Sequence, residues 1–397
     1  MLAGVVGTML VNTYGGTLGV LMPFLSKEYG WTRAELSASV MIICTGLLLL
    51  GPVVGALVDR IGLRRIAISG VILFCAALFG VGLSGPSVWS WYLAWTLVAV
   101  VNPMANNLVW TAAINRSFRK RRGLALSIGL SGVGLGTFIA PLFAVWTSRL
   151  FGWRGAYFSL GLGGLLLAVP VIWKLFLFPD RTQAAARPSG NREASAEAAG
   201  LDGPEIAEIL RDSRFWRLLV SVTLVSAGIG TLMIHMQPVM RDAGVSAGAA
   251  ARYAAIMGPS AIVGRLFGGY LLDRLPARLV AAVTFALPAV PCAILLRYDA
   301  SLLLSVCATI ATGVSLGVDG DIVAYITARY LGLRRYGLAY SLIFGCYAFG
   351  AGFAPVVAGA IFDVSGSYAI MFKILIVGLL SSAALVASLG TPPKFAV

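Results

Sequence analysis

The sequence predicts an all-α membrane protein of twelve transmembrane helices, arranged as two pseudo-symmetric six-helix halves. Three observations carry this: scarce charge, regularly spaced long apolar runs, and one internal repeat. Of 397 residues, 59% are hydrophobic and only 12% charged, with a mean hydropathy of +0.89. A soluble domain carries about 25% charged residues, so a soluble globular chain is excluded. Runs of about 20 apolar residues, the length that crosses a bilayer, fall at 3–25, 34–58, 66–84, 89–113, 123–147, 154–178, 213–237, 247–271, 276–296, 302–328, 336–360 and 367–389.

The charges between these runs are one-sided. Alternate loops hold twenty Lys and Arg on one side, including Arg64, Arg65, Arg119–Arg122, Arg278, Arg334 and Arg335, against seven on the other. The positive-inside rule makes the first side cytoplasmic, with both termini there, in a bacterial-type inner membrane. The net charge of +14 is thus a topology signal with an anionic-lipid contribution, and no nucleic-acid partner is expected. All five cysteines lie inside predicted helices without paired loop spacing and read as packing residues. The start, "MLAGVVGTML", has no basic n-region or small-residue cleavage site and reads as the first span.

The repeat has a constant offset of 214. "GALVDRIGLRR" (55–65) meets "GYLLDRLPARL" (269–279), "GLALS" (123–127) meets "GLAYS" (337–341), and Gly136, Ala140 and Pro141 meet Gly350, Ala354 and Pro355. Register held over three helices predicts homologous halves, 1–178 and 213–397. They are joined by a polar, Ala/Pro/Gly-rich cytoplasmic linker, 179–212, with a short helix at its end.

Twelve spans in 6+6 halves, a long central loop and "GALVDRIGLRR" resemble the major facilitator superfamily. The resemblance implies its fold, alternating access, and substrate bound at the midplane between the halves. It also implies a conformational latch at Gly55, Asp59, Arg60, Arg64 and Arg65, echoed at Asp273 and Arg274. Each aspartate there ends a helix beside arginines and a neighbouring helix N-terminus. A generic turn with topology charges is the plainer reading, and the second copy weighs against it. Within the superfamily, "FRKRRGLALSIGLSGVG" (118–134) is similar to the fifth helix of the monocarboxylate transporter and oxalate/formate antiporter group, with Ser127 where glycine is usual. The R-x-x-x-G arginine and G-P-x-x-G-G pattern of drug/proton antiporters are missing.

Once charges in the loops and near the span edges are set aside, few remain inside the spans: Arg265, Asp319, Asp321 and Lys373. Lys373 is near a span end and can snorkel. Intramembrane ionisable residues pair or face water, so the plain reading of Arg265 is an ion pair between spans 8 and 10. The functional reading follows from the resemblance, in which an arginine of the eighth helix binds the substrate carboxylate, and guanidinium suits that task. The family's partner aspartate one turn earlier is Ala261 here, and the second cation expected of dicarboxylate carriers is missing from helix 11. A monoanion is therefore expected, with Asp319, Asp321 and His235 as the proton-coupling candidates. The lone His235 reads first as a local hydrogen-bonder and second as a relay.

The offset sends Asp321 to Asn107, so Asp321 and Tyr325 are expected opposite Asn107 and Asn106, with Asn12 and Tyr14 completing the pocket. Asp319, roughly 200° round the helix from Asp321, is then the favoured partner of Arg265, with Asp321 the alternative. The sequence holds no P-loop, metal-ligand cluster or nucleophile–base set. No cofactor, metal or enzymatic activity is expected. The function expected is secondary active, proton-coupled transport of a small organic anion, a monocarboxylate, by a monomer. The alternatives are a carrier of larger zwitterionic or amphipathic metabolites, such as a siderophore or peptide-like compound, and a non-transporting membrane receptor or scaffold.

Overall fold

The computed structural model describes residues 1–117, 122–176, 204, 206–332 and 336–393. Most of the expected linker and the basic stretches 118–121 and 333–335 lie outside them. Six helices form the first half: α1 (Leu2–Val11 and Thr13–Tyr29), α2 (Arg33–Ile61), α3 (Leu63–Val81), α4 (Val88–Ala105 and Asn107–Ser117), and α5 and α6, which share Arg122–Gly163 and continue through Gly164–Ala168 and Val169–Leu175. A short helix, Ile206–Arg211, precedes the second six: α7 (Ser213–Asp242), α8 (Ala247–Ala255 and Met257–Arg274), α9 (Ala277–Ala286 and Ala289–Leu296), α10 (Leu302–Leu331), α11 (Tyr336–Ser365) and α12 (Ala369–Ala387).

Ten segments of described residues are long and apolar enough to cross a membrane, one of them the 48-residue stretch Ile128–Leu175. A straight helix of that length spans about 72 Å, more than twice the roughly 30 Å hydrocarbon core. Gly152 breaks it, with a left-handed φ of 70° that a side chain would disfavour. The chain doubles back there. Gly132 packs on Val5 and Thr8, and Gly164 packs on Leu10, although one straight helix would set them about 48 Å apart. Tryptophans and Asn102 make α4 less apolar than its neighbours, and it completes twelve.

Several helix interruptions have a local cause. Proline frees the carbonyl four residues back and bends the helix; the breaks at Ile256 and Leu287–Pro288 fall within three residues before, or at, Pro259 and Pro288. One apolar core draws on residues 3–176 with Ile234 and Ala251, the other on residues 209–389. Edge-to-face contacts among Trp91, Trp95, Trp153 and Tyr157 stiffen the first. The cores meet where α2 packs on α11, α5 on α8, and α1 on α7.

Candidate functional site

The α8–α10 contact is a ladder of small residues with a four-residue step. A Cβ on Gly313 would strike the Met257 carbonyl, and one on Gly317 the Ala261 carbonyl. One turn further along both helices, Arg265 Nε lies 3.1 Å from Asp321 Oδ2. Residues at i and i+4 share a helix face, so the two glycines fix the rotation of α10 that brings Asp321 to Arg265. This corrects the expectation that Asp319 would be the partner. Asp319, turned to the far side, is only 2% exposed. It interacts with the Tyr347 hydroxyl of α11, yet neither carboxylate oxygen has a well-formed hydrogen bond among the described residues. Asp321 keeps 48% of its side chain exposed, and Arg265 23%. Arg265 Nη1 also approaches the Leu130 carbonyl of α5 at 3.5 Å, a long contact across the halves. The cleft between α5, α8 and α10 at this point is narrow, with room for about 30 Å³.

In the first half the predicted polar residues gather at two adjacent helix breaks. Asn12 interrupts α1 and donates from Nδ2 to the Thr8 carbonyl (2.7 Å) and to Asn107 Oδ1 (3.1 Å). Asn106 interrupts α4 and donates to Asn102 Oδ1 at 3.2 Å. The Trp110 indole donates to the Ala105 carbonyl released by that break. Tyr14 stands edge-on to Trp95, with Cys44 of α2 close by. Tyr325 shares the exposed side of α10 with Asp321 but lines a hollow of about 550 Å³ with Arg274, Arg278 and Arg329. The structure thus groups it with the arginines rather than with Asn107.

A second constellation escaped the sequence reading. At the end of the bundle where α2 begins, Arg33 Nη2 pairs with Asp242 Oδ1 at 2.7 Å, and Nη1 donates to the Tyr368 hydroxyl at 2.7 Å. The backbone N–H groups of Arg33 and Ala34 donate to the Asp363 carboxylate at 3.0 and 2.9 Å. A carboxylate of α11 thereby caps the positive end of α2 across the halves. Burial holds the Tyr368 hydroxyl above its ordinary range, though Arg33 pulls it the other way. His235 completes the cluster. Its Nε2 lies 2.8 Å from the Pro355 carbonyl and 3.1 Å from Ser37 Oγ, and its Nδ1 lies 2.7 Å from the Tyr368 hydroxyl. Since a carbonyl only accepts, Nε2 carries hydrogen and Nδ1 accepts from tyrosine. The three partners belong to this seam and none is an aspartate of α10. Asp363 and Asp242, each near a helix end, read as ordinary terminal charges; the crossing of α2 over α11 brings Asp363 to Arg33, and Asp242 reaches it from the end of α7.

The α2–α11 seam loosens toward the opposite, arginine-rich end. A Cβ on Gly359 would meet Arg33 and Ala34, and one on Gly352 would meet Cys44; Gly345 touches only Leu48, and Gly51 and Gly55 have nothing within 4 Å. Of the expected latch, Arg60, Arg65 and Arg274 are exposed. Arg64 Nη2 makes a long 3.4 Å contact with the Trp173 carbonyl of its own half, and Arg274 lies over Tyr270, 4.3 Å from the ring centre. The side chains of Asp59 and Asp273 lie outside the described residues. At the Arg33 end these contacts hold the two halves together.

Known proteins resemble this chain along most of its length. The family model described as Major Facilitator Superfamily matches residues 4–320. Monocarboxylate transporter 13 of Bos taurus is 28% identical over 327 residues, 81% of this chain and 72% of that protein. The gallate transporter of Pseudomonas putida is 25% identical over 395 residues, 90% of this chain and 84% of that protein. Among solved structures, a bacterial homolog of the human lysosomal transporter Spinster, inward-facing and unoccupied, superposes with a TM-score of 0.72. The two are 19% identical and the match covers 98% of this chain and 93% of that one, a likeness of fold.

Proposed function

The chain belongs to the major facilitator superfamily, and from that premise we propose that it carries a small monocarboxylate across the membrane by alternating access, coupled to protons. The observation that bears most weight is the Arg265–Asp321 pair, half-open to solvent, on a helix that also holds the buried Asp319. A transporter must bind its anion reversibly, and a guanidinium already paired with an internal carboxylate does so by exchange. The incoming carboxylate takes the two-pronged contact with Arg265, and Asp321 is released. One negative charge replaces another beside the arginine, so binding leaves no buried charge unmatched.

Asp319, two residues away and without a cation, is the proton carrier in this reading, with the Tyr347 hydroxyl as its neighbour. Asn12, Asn106 and Asn107 supply amide dipoles from the first half, where the helix breaks also free backbone groups. The positive-inside rule makes the Arg33 end external and both termini cytoplasmic. The structure then corresponds to a state closed to the outside, with the Arg33–Asp242–Asp363–Tyr368–His235 cluster as its seal. The names of relatives that are monocarboxylate and gallate transporters support a carboxylate as cargo.

Counterflow in proteoliposomes tests this. Radiolabelled monocarboxylates are expected to exchange, and Arg265→Lys, which keeps charge but loses the fork, is expected to raise the half-saturating concentration at least tenfold. If Arg265→Lys exchanges like the wild type, the arginine is a structural partner only and the carboxylate reading fails.

A further inference from the structure

We infer that the Arg33 end carries an oxyanion-binding site between the halves, in a hollow bordered by Lys27 of α1 and Arg241 of α7, filled when this end is closed. The site is distinct from the Arg265–Asp321 pair and independent of the cargo.

The hollow has a volume of about 460 Å³. Pro23 and Phe24 stand one helical turn before Lys27 and Glu28, so α1 gives it an apolar step followed by a charged one. Trp153 borders it just past Gly152, where the chain doubles back between α5 and α6. The second half supplies Arg241, whose guanidinium lies over the Phe24 ring, 5.1 Å from its centre. Among the described residues the one carboxylate on the wall is Glu28, and it pairs with Arg154 at 3.3 Å. Donors are in excess. Arg241 Nη1 and the Trp153 indole N–H are both covered by protein, and neither has a hydrogen-bond acceptor among the described residues.

Lys27 and Arg241 each sit in the last turn of a helix, and a cation facing the negative helix end is the plain reading. A cation in that role donates to the terminal carbonyls; Arg241 Nη1 has no such bond, and its guanidinium reaches over to the other half instead. Topology does not account for these charges either, because the positive-inside rule disfavours Lys and Arg on the external side. The same seam holds a second unmatched pair. A Cβ on Gly248 would meet Arg149 Nη2 at 3.1 Å and Arg252 Nη1 at 3.7 Å, so these guanidinium groups, from α5 and α8, come within about 7 Å of each other. Arg33 and Arg154 at this end have carboxylate partners, whereas Lys27, Arg149, Arg241 and Arg252 have none among the described residues.

Closing this end therefore brings like charges of the two halves together. Salt screens such repulsion where the charges are in water and does so less where protein covers them, as it covers part of Arg241. A bound anion removes it. Guanidinium matches two oxygens at once and ammonium takes a third, which suits an oxyanion rather than a halide. An anion that needs both walls binds only the closed arrangement and shifts the equilibrium toward it by mass action. A free external sulfate or phosphate and the phosphate of an outer-leaflet lipid share this chemistry.

The test is thermal unfolding of the full chain in detergent with added sodium sulfate, with sodium chloride at equal ionic strength, or with phosphatidylglycerol in mixed micelles. Sulfate or phosphatidylglycerol is expected to raise the midpoint saturably, beyond any effect of chloride. A response to sulfate identifies a free anion, and a response to phosphatidylglycerol alone identifies a lipid headgroup. Lys27→Gln and Arg241→Gln are each expected to raise the half-effective concentration about tenfold or more, the loss of one charge-assisted contact. If Arg241→Gln is not monodisperse, Lys27→Gln, at an exposed position, decides alone. With spin labels placed across the Arg33 end, the active ligand is expected to enrich the short distances in the wild type and to do so less in Lys27→Gln. The inference is overturned if neither ligand exceeds chloride, if either monodisperse variant responds like the wild type, or if saturating ligand leaves the distances unchanged.

Discussion

Replacing Asp363 by alanine should unseal the Arg33 end. The Asp363 carboxylate crosses from α11 to accept the N–H groups of Arg33 and Ala34, two of the four donors that open the first turn of α2. Each such bond contributes about 0.5–1.5 kcal/mol net, and a carboxylate at a helix N-terminus adds about 0.3–1 kcal/mol. Asp363 is exposed, so water replaces part of what is lost and the lower end of each range applies, about 1–2 kcal/mol in all. Because these contacts exist only while the halves touch here, their loss weighs on the closed state alone. The ratio of open to closed should rise about 5- to 30-fold.

Spin labels at Pro86→Cys and Arg297→Cys, exposed positions at this end of the two halves, would report the separation by electron–electron distance measurement in a cysteine-free background. Glu28→Ala is the control, because Glu28 pairs at 3.3 Å with Arg154 within one half. If Asp363→Ala leaves the distance distribution unchanged, or Glu28→Ala shifts it equally, the seal is incidental to the conformational change.

Other outcomes follow from the same geometry. Gly317→Val should sharply lower the yield of folded protein, because even its Cβ would fall on the Ala261 carbonyl, whereas Gly320→Ala, with nothing within 4 Å, should be tolerated; thermal unfolding in detergent compares them. Asp319→Asn should abolish pH-driven accumulation but spare counterflow, and Asp321→Asn should weaken both; unchanged pH dependence in both variants would remove α10 from proton coupling. Asp59→Asn should slow transport more than Asp273→Asn, since only the first loop is followed by Arg64 and Arg65; normal initial rates in both would reduce the repeated motif to ancestry. Cysteines in the 179–212 linker should react with an impermeant maleimide only in inverted vesicles, and labelling in intact cells would reverse the topology.

Fold and site were unequally legible in the sequence, for a physical reason. Membrane crossing depends on composition summed over about 20 residues, a signal that survives local irregularity, so helix number and course could be read directly. Even the reversal at Gly152 was implied by a 48-residue apolar stretch too long for one crossing. Pairing depends on rotation of one helix against another, and the offset of 214 carried no information about that: it compares a helix with its copy, not with its neighbour. Projecting Asp321 onto Asn107 therefore pointed to the wrong partner for Arg265. The information lay elsewhere, in the matched steps Met257, Ala261, Arg265 and Gly313, Gly317, Asp321. Small residues mark where backbones approach, and in two helices running the same way the next matched step is where charges meet. The seal at the Arg33 end had no such trace, because Arg33, Asp242 and Asp363 lie 121 or more residues apart and each sits at a helix end where charge is unremarkable. Exact rotation thus decides the pairing more than hydropathy does: moving Asp321 by one position would turn it roughly 100° and leave Arg265, a part-buried cation, without its carboxylate.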